Sequence, residues 1–413
     1  MTLTDGWSMA IRGRTIIVGA GPVGIVCALA LNKRGVPVTL FEQEAAPVKD
    51  QRAASLHPPT LDMLDGIGIT KRILDKGLIS SKYRYHDRLD GSVVAEFDLD
   101  QMRDEFRFPF VLQYEQYKLT AAIFAEYANG SDFDVRFGHE VLSLSQDSAG
   151  VAVEVSSPAG VEVHRAEFVI GCDGGRSTVR KLANIDFKGF RYPEKFIKIA
   201  TTFDFAQVNS KLVLRNYFSD PDEWCNLFKV RGERAPGLWR AIFPMRPDEK
   251  EEEALAPDCI ESRLQRFFPK GGRYEVEYVN VYNVAQCVAE TFRKGRILLA
   301  GDSAHVNNPI GGMGMNGGIH DALNLAEKLA AVVCGTSGEE ALDHYDRQRR
   351  HAAVSYVQAQ TIANKKMMEE RDRAVRARNL AELKRTADNP VSAKAYMRRA
   401  SLLESLESAA AVD

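Results

Sequence analysis

Three glycine-rich sites carry the residue types and spacings from which chemistry can be argued. Gly19, Gly21 and Gly24 form G-x-G-x-x-G, with Pro22 and Val23 inside it, between "RTIIVGAG" and "PVGIVCALALNKRG". Glycine at the first position permits a tight turn, at the second it lets backbone reach a pyrophosphate, and at the third it lets helix and strand pack closely. The N-terminus of the helix that follows offers free N–H groups and the positive end of a dipole to phosphates. Glu42 and Gln43 close the next predicted strand, with Glu42 18 residues past Gly24. A carboxylate there accepts hydrogen bonds from ribose hydroxyls and repels a 2′-phosphate, so the spacing points to FAD or NAD and away from NADP.

The second site is "VIGCDGGRSTVR", a predicted strand running into glycines beside Asp173. The third, "GDSAHVNNPIGGMGMNGG", places six glycines, three asparagines and two methionines between the apolar "RILLA" and the helix-like "DALNLAEKLAAVV". Each glycine loses more conformational freedom on folding than other residues do, so a cluster this dense implies backbone that approaches something closely.

Elements that would position these sites are legible along the chain. Strand, helix and strand open it as a βαβ unit, which predicts a parallel sheet with helices on its faces. "FDVRFGHEVLSLSQDSAGVAVEVSS" reads as antiparallel strands with Gly and Asp/Ser turns. Aromatic, alternating runs between about 190 and 290 suggest an antiparallel sheet with one wet and one dry face. Beyond about 340 the chain reads as helical, with many Lys and Arg that suit a solvated face.

Composition narrows the class. A net charge of -2 on 413 residues argues against nucleic acid or a membrane recognised by bulk charge. No apolar run approaches the roughly 18 to 20 residues that span a bilayer, and "MTLTDGWSMAIRGR" lacks the pattern of a secretory leader, so a cytoplasmic location is expected. The six cysteines show no CxxC spacing and read as reduced, mostly buried thiols, with no metal site.

Taken together, "GAGPVG", "VIGCDGGRSTVRKLANI" and "GRILLAGDSAHVNNPIGGMGMNGGIHDALNLAEKL" resemble, in order, the three signatures of the class A FAD-dependent monooxygenases, the family of 4-hydroxybenzoate and phenol hydroxylases. The resemblance spans about residues 14 to 350 and selects FAD. It implies an α/β fold: a Rossmann-like FAD-binding domain (1–82, 108–190 and 288–345), an inserted, mainly antiparallel substrate-binding domain (83–107 and 191–287) and a helical C-terminal region (346–413), with a homodimer compatible with the tail. It also implies that Asp302 holds the ribityl chain, that Pro309, Gly311, Gly312, Gly314, Met315 and Asn316 wrap the isoalloxazine ring, and that Arg52, Gln113 and Asp173 contact the cofactor, with Arg176 and Arg180 adding charge nearby. Met313 replaces the usual polar residue of the flavin loop and Glu327 stands where many relatives have Trp. The thioredoxin-like domain of the larger phenol hydroxylases is not expected.

The implied reaction has NADH or NADPH reduce FAD, which takes up O₂ as a C4a-hydroperoxide and transfers oxygen to an electron-rich aromatic ring; a wet site would release peroxide instead. A phenol with a pKa near 10 needs a hydrogen-bond acceptor or base to activate it at neutral pH. Candidates are His57, Tyr217 and His305, with Tyr114 behind them; Pro309 of the flavin loop joins His57 and Tyr217 as a catalytic expectation. Arg215, Tyr217, Trp224, Trp239 and Arg240 are the expected substrate contacts, with Arg215 and Tyr217 on one face of a strand. Related flavoenzymes that epoxidise, perform Baeyer–Villiger oxidation or reduce remain open, as does a non-catalytic FAD-binding protein; the W-x-W-x-I-P segment of halogenases is absent.

Overall fold

The computed structural model describes residues 13–49, 51–128, 132–234, 236–246 and 248–413; the first 12 residues of the stretch read for a secretory leader lie outside them. Short β-branched runs form the first sheet. Thr15–Val18 lies between Val38–Glu42 and Phe168–Gly171, parallel to both; Phe133–Phe137 and Ile297–Leu299 extend the parallel array outward, and Arg293–Lys294 closes one edge antiparallel. Thr15–Val18 and Phe168–Gly171 are buried along their whole length, as expected of strands covered on both faces.

Phe133–Phe137 differs from the antiparallel expectation. It joins the parallel sheet beside Val38–Glu42, after the helix Gln116–Tyr127. Its alternation reports a partly open edge position, and an edge strand of a parallel sheet shows the same pattern as a strand of an antiparallel one. Glu140–Asp147, Gly150–Ser157 and Gly160–Ala166 form an antiparallel three-stranded sheet of their own.

The apolar helix Pro22–Asn32 packs against the long helix Met313–Val333. Glycines make the approach possible: a Cβ on Gly318 would stand 3.0 Å from the Gly301 Cα and 2.6 Å from Val23. The third glycine cluster is thereby brought onto the G-x-G-x-x-G turn.

An eight-stranded sheet takes strands from three stretches of chain, in the order His305–Val306, Val276–Ala289, Phe187–Thr201, Leu238–Pro244, Cys225–Val230, Arg215–Ser219, Lys82–Asp87, Ser92–Asp98. Its pairs are antiparallel except Arg215–Ser219 with Lys82–Asp87. Alternation divides its faces. Ile197, Ile199, Leu227, Trp239, Ala241 and Phe243 pack with Leu264 of the helix Pro257–Phe267, whereas Tyr85, Phe97, Phe196, Tyr217 and Ile242 pack with Met368, Leu383 and Met397 of the C-terminal helices.

Those helices are Glu340–Ala352, Ala359–Met368, Arg373–Asp388, Pro390–Ala400 and Leu403–Ala410, with a π-helical stretch at Ala353–Gln358. Asp372 and Asn389 cap two of them through Val375 N and Ser392 N. No described helix is long and apolar enough to cross a membrane.

Candidate active site

At the first turn the three glycines have three different surroundings. Gly19 has φ +102° and a Cβ there would lie 2.6 Å from the Cys172 carbonyl oxygen; one on Gly24 would lie 1.9 Å from the Gly19 carbonyl oxygen; one on Gly21 would meet nothing within 4 Å. Packing demands the outer two, whereas the middle one faces open space where a ligand's phosphates can reach backbone. Glu42 Oε2 accepts from Ala20 N at 2.7 Å and Oε1 from Glu44 N at 3.1 Å, which fixes the carboxylate beside the turn. Pro22 begins the helix, Val23 lies under Gly301 and Gly318, and Gln43 and Arg52 are exposed.

Asp173 is held as a cap. Its Oδ1 accepts from Ser177 Oγ at 2.5 Å and its Oδ2 from Val179 N at 3.0 Å, and burial raises its pKa against those bonds. Arg180 is buried and donates to the carbonyls of Ser303 (2.8 Å) and Gly175 (2.9 Å), tying the second glycine site to the third; Arg176 is exposed.

Asp321 organises the third site from below, a role with no signature in the sequence. Its Oδ2 accepts from Gly301 N (3.1 Å) and pairs with His305 Nε2 (2.8 Å), while Oδ1 accepts from Arg349 Nε (2.7 Å). The Arg349 charge and these hydrogen bonds outweigh burial and pull its pKa to about 2. The half-buried Asp302 sits on the turn so fixed. His305, an expected base, is therefore engaged with Asp321 through its Nε2.

Beyond it, Gly312 N donates to the Pro309 carbonyl at 3.0 Å, and Gly311 (φ +102°) and Gly312 (φ +73°) turn the chain into the helix that starts at Met313. The first four helical N–H groups, of Met313, Gly314, Met315 and Asn316, have no partner within the helix. Asn316 uses its side chain otherwise: Oδ1 accepts from His57 N (2.9 Å) and Nδ2 donates to the Ser55 and Gly312 carbonyls (2.9 and 2.7 Å), joining the 55–57 segment to the loop. Gln113, fully buried, accepts from Ser55 Oγ at 2.6 Å and leaves Nε2 without a partner. An open Gly21, an orphaned buried donor on Gln113 and a glycine-led helix N-terminus fit a dinucleotide cofactor with a polar ring edge.

Beside this loop is a cavity of ≈ 30 Å³ lined by His57, Tyr83, Tyr85, Arg215, Tyr217 and Tyr396, with Gly311, Met313, Asn364 and Met397 among its other walls. Arg215 Nη2 donates to Tyr217 Oη at 2.8 Å, and its guanidinium lies 5.7 Å from the Tyr83 ring centre. Tyr217 stacks on Tyr85 at 4.9 Å, Tyr85 shares a 2.9 Å hydrogen bond with Tyr396, and the buried Tyr83 hydroxyl has no partner. Neither ring nitrogen of His57 has a hydrogen-bond partner; burial, then the Arg215 charge, push its pKa well below 6.5, so the ring is neutral at pH 7. Burial raises the pKa of Tyr83 and Tyr85 well above 10, which keeps both hydroxyls protonated.

His57, Arg215 and Tyr217 thus meet at one cavity, and the other expected catalytic and substrate residues do not line it. Trp239 lies on the opposite sheet face and donates to Asp204 at 2.8 Å, because its neighbour Arg240 takes the inner face. Arg240 is buried and donates to the Gln51 carbonyl at 3.1 Å. Trp224 packs edge-on to Phe196 at 4.9 Å, and Pro309 forms its turn outside the lining. Tyr114 donates to the Lys118 carbonyl at 3.2 Å. Sequence reasoning missed Tyr83, Tyr85, Asn364, Tyr396 and Met397. "KYRYHD" carried a usable signal, since alternation puts Tyr83 and Tyr85 on one face; the C-terminal residues carried none beyond helical periodicity.

The FAD binding domain family matches residues 12–360. Para-nitrophenol 4-monooxygenase of Pseudomonas sp. (strain WBC-3) is 32% identical over 372 residues, covering 89% of this chain and 90% of that one. The 3-(3-hydroxy-phenyl)propionate/3-hydroxycinnamic acid hydroxylase of Mycolicibacterium smegmatis is 32% identical over 373 residues, with 88% of this chain and 64% of that longer protein covered. Among solved structures, p-nitrophenol 4-monooxygenase from Pseudomonas putida DLL-E4 superposes with a TM-score of 0.88 at 31% identity, covering 95% and 97% of the two chains. With its glycine turns, its buried Gln113 and its tyrosine-lined cavity, the chain belongs to the FAD-dependent aromatic-hydroxylase monooxygenases.

Proposed function

We propose that the protein hydroxylates a small phenol carrying a second, hydrogen-bond-accepting or anionic substituent, with NADH or NADPH and O₂ as co-substrates, and that 4-nitrophenol is the first compound to test because two relatives are named for it. The carrying observation is Arg215, a buried cation whose side chain bonds only a tyrosine hydroxyl and has no carboxylate at ion-pair distance among the described residues, beside a cavity with an unpartnered neutral histidine. A buried charge of this kind calls for a counter-group, and a nitro, carboxylate or phenolate group on the substrate supplies one.

Reduced flavin, when bound, supplies the oxygen-transfer chemistry. Asp302, Gln113, Glu42 and the Gly19–Gly24 turn would hold the dinucleotide, with Gln43, Arg52 and Asp173 at its margins. The N–H groups of Met313 to Asn316 would stabilise negative charge at the ring edge in fixed orientation. Neutral His57 accepts a hydrogen bond from the substrate hydroxyl and so raises electron density on the ring. Arg215, held by Tyr217, meets the second substituent, and the stacked tyrosines exclude water. In this reading 1–82, 108–190 and 288–345 bind FAD, and 83–107 with 191–287 bind substrate.

The test is NAD(P)H oxidation by the FAD-loaded enzyme over phenol, 4-nitrophenol and 4-hydroxybenzoate, with products weighed by mass spectrometry. Faster flavin reduction and a product in which hydroxyl oxygen has been added are expected with at least one substituted phenol. Unaccelerated reduction with every phenol would refute the proposal.

A further inference from the structure

The C-terminal helices form part of the cavity wall. Tyr396, Met397, Ala400 and Ser401 line it, and Tyr396 stacks on Phe97 at 4.4 Å while bonding Tyr85. The cavity they close, at ≈ 30 Å³, holds one or two waters and falls short of the roughly 150 Å³ that accommodates benzene. A ring can therefore enter only if one wall moves.

The helix Pro390–Ala400 is the wall built to do so. It packs on the short turn Leu99–Met102 and on its two neighbouring helices, and meets the eight-stranded sheet through side chains, with Tyr396 against Phe97 and Tyr85. At one end Asn389 is extended (φ -104°, ψ 116°) between two helices; at the other Leu402 holds a left-handed φ of +72° while buried with Met313 of the flavin loop and Val357. Breaks at both ends give places where backbone rotation can be absorbed without unwinding the helix. Its outer side is held by ion pairs: Lys394 with Asp104 (2.5 Å) and Glu105 (3.0 Å), and Arg398 with Glu105 and Glu407.

We propose that Pro390–Ala400 is a movable wall of the active site that opens between Asn389 and Leu402 to admit the aromatic substrate, closes through the Lys394 and Arg398 ion pairs and the Tyr85–Tyr396 bond, and sets ring size through Met397 and Ala400. The inference rests on the aromatic-hydroxylase reading. It is tested by stopped-flow binding of 4-nitrophenol to the FAD holoenzyme, read by flavin fluorescence. Counting the exposed pairs of each cation together as about 0.2–1 kcal/mol, Lys394→Ala/Arg398→Ala should raise the association rate constant roughly 2- to 30-fold. Flavin reduction at saturating phenol should be unchanged. Met397→Ala should raise turnover of 2,6-dimethylphenol relative to phenol, and Ala400→Leu, which keeps the core intact, should lower that ratio. An association rate equal to wild type in the double variant, or both phenols changing by one factor in the wall variants, overturns the movable wall while leaving the hydroxylase reading in place. If wild-type holoenzyme binds none of these phenols, that reading fails and the wall's function fails with it.

Discussion

Arg215→Met is the sharpest perturbation of the proposed chemistry. Methionine keeps much of the apolar stem and removes the guanidinium, which is buried and bonded to Tyr217 at 2.8 Å. A hydrogen bond to a charged group contributes about 1.5–3 kcal/mol, which corresponds to roughly 10- to 150-fold in an equilibrium or rate ratio. The loss should fall on kcat/KM for 4-nitrophenol and 4-hydroxybenzoate, and much less on unsubstituted phenol, which has no second group for the cation to meet. Arg215→Lys should recover part of the loss, since it restores charge without the planar fork. Initial rates of NAD(P)H oxidation coupled to product formation, measured on all three phenols, give the comparison. An equal loss on all three would refute the assignment, because it would mean that Arg215 merely holds Tyr217 and the neighbouring rings in place.

Other outcomes follow from the same geometry. Asp321→Asn leaves the buried Arg349 without its anion and should destabilise the fold by about 3–5 kcal/mol in urea unfolding, with faster FAD release; stability within 0.5 kcal/mol of wild type would contradict this. Gly21→Ala should leave the melting temperature of FAD-free protein unchanged and abolish FAD retention, whereas Gly24→Ala should lower that melting temperature because its Cβ overlaps the Gly19 carbonyl; retention of FAD by Gly21→Ala would sink the placement. Burial lowers the pKa of His86 to about 4 and of His320 to about 3, below their unfolded value of 6.5. The unfolded chain then takes up protons first as pH falls below 6.5, so these two residues together should remove about 4 kcal/mol of stability between pH 7 and pH 5, checked by unfolding midpoints at both pH values.

What the chain could tell by itself was whatever is written in a few consecutive residues. The Gly19–Gly24 turn, Glu42 at a strand end and the glycines before Met313 are demands of local backbone and close neighbours, so their residue types report them directly. Alternation likewise put Arg215 and Tyr217 on one face, and the structure shows them hydrogen-bonded. Alternation could not say which face looks inward, and there the tertiary structure decided: the register that turns Arg240 toward Gln51 turns Trp239 away to Asp204. The cavity itself required strand order and helix docking, which bring Tyr83, Tyr85, Tyr217 and Tyr396 together across more than 300 residues. Nor does any local pattern distinguish Asp321, whose partners come from the 301–305 turn and from Arg349 of a later helix, or a basic C-terminal helix that closes a cavity from one that only faces solvent. Periodicity reports how a side chain is turned relative to its own element; which elements meet depends on packing free energy summed over the whole chain.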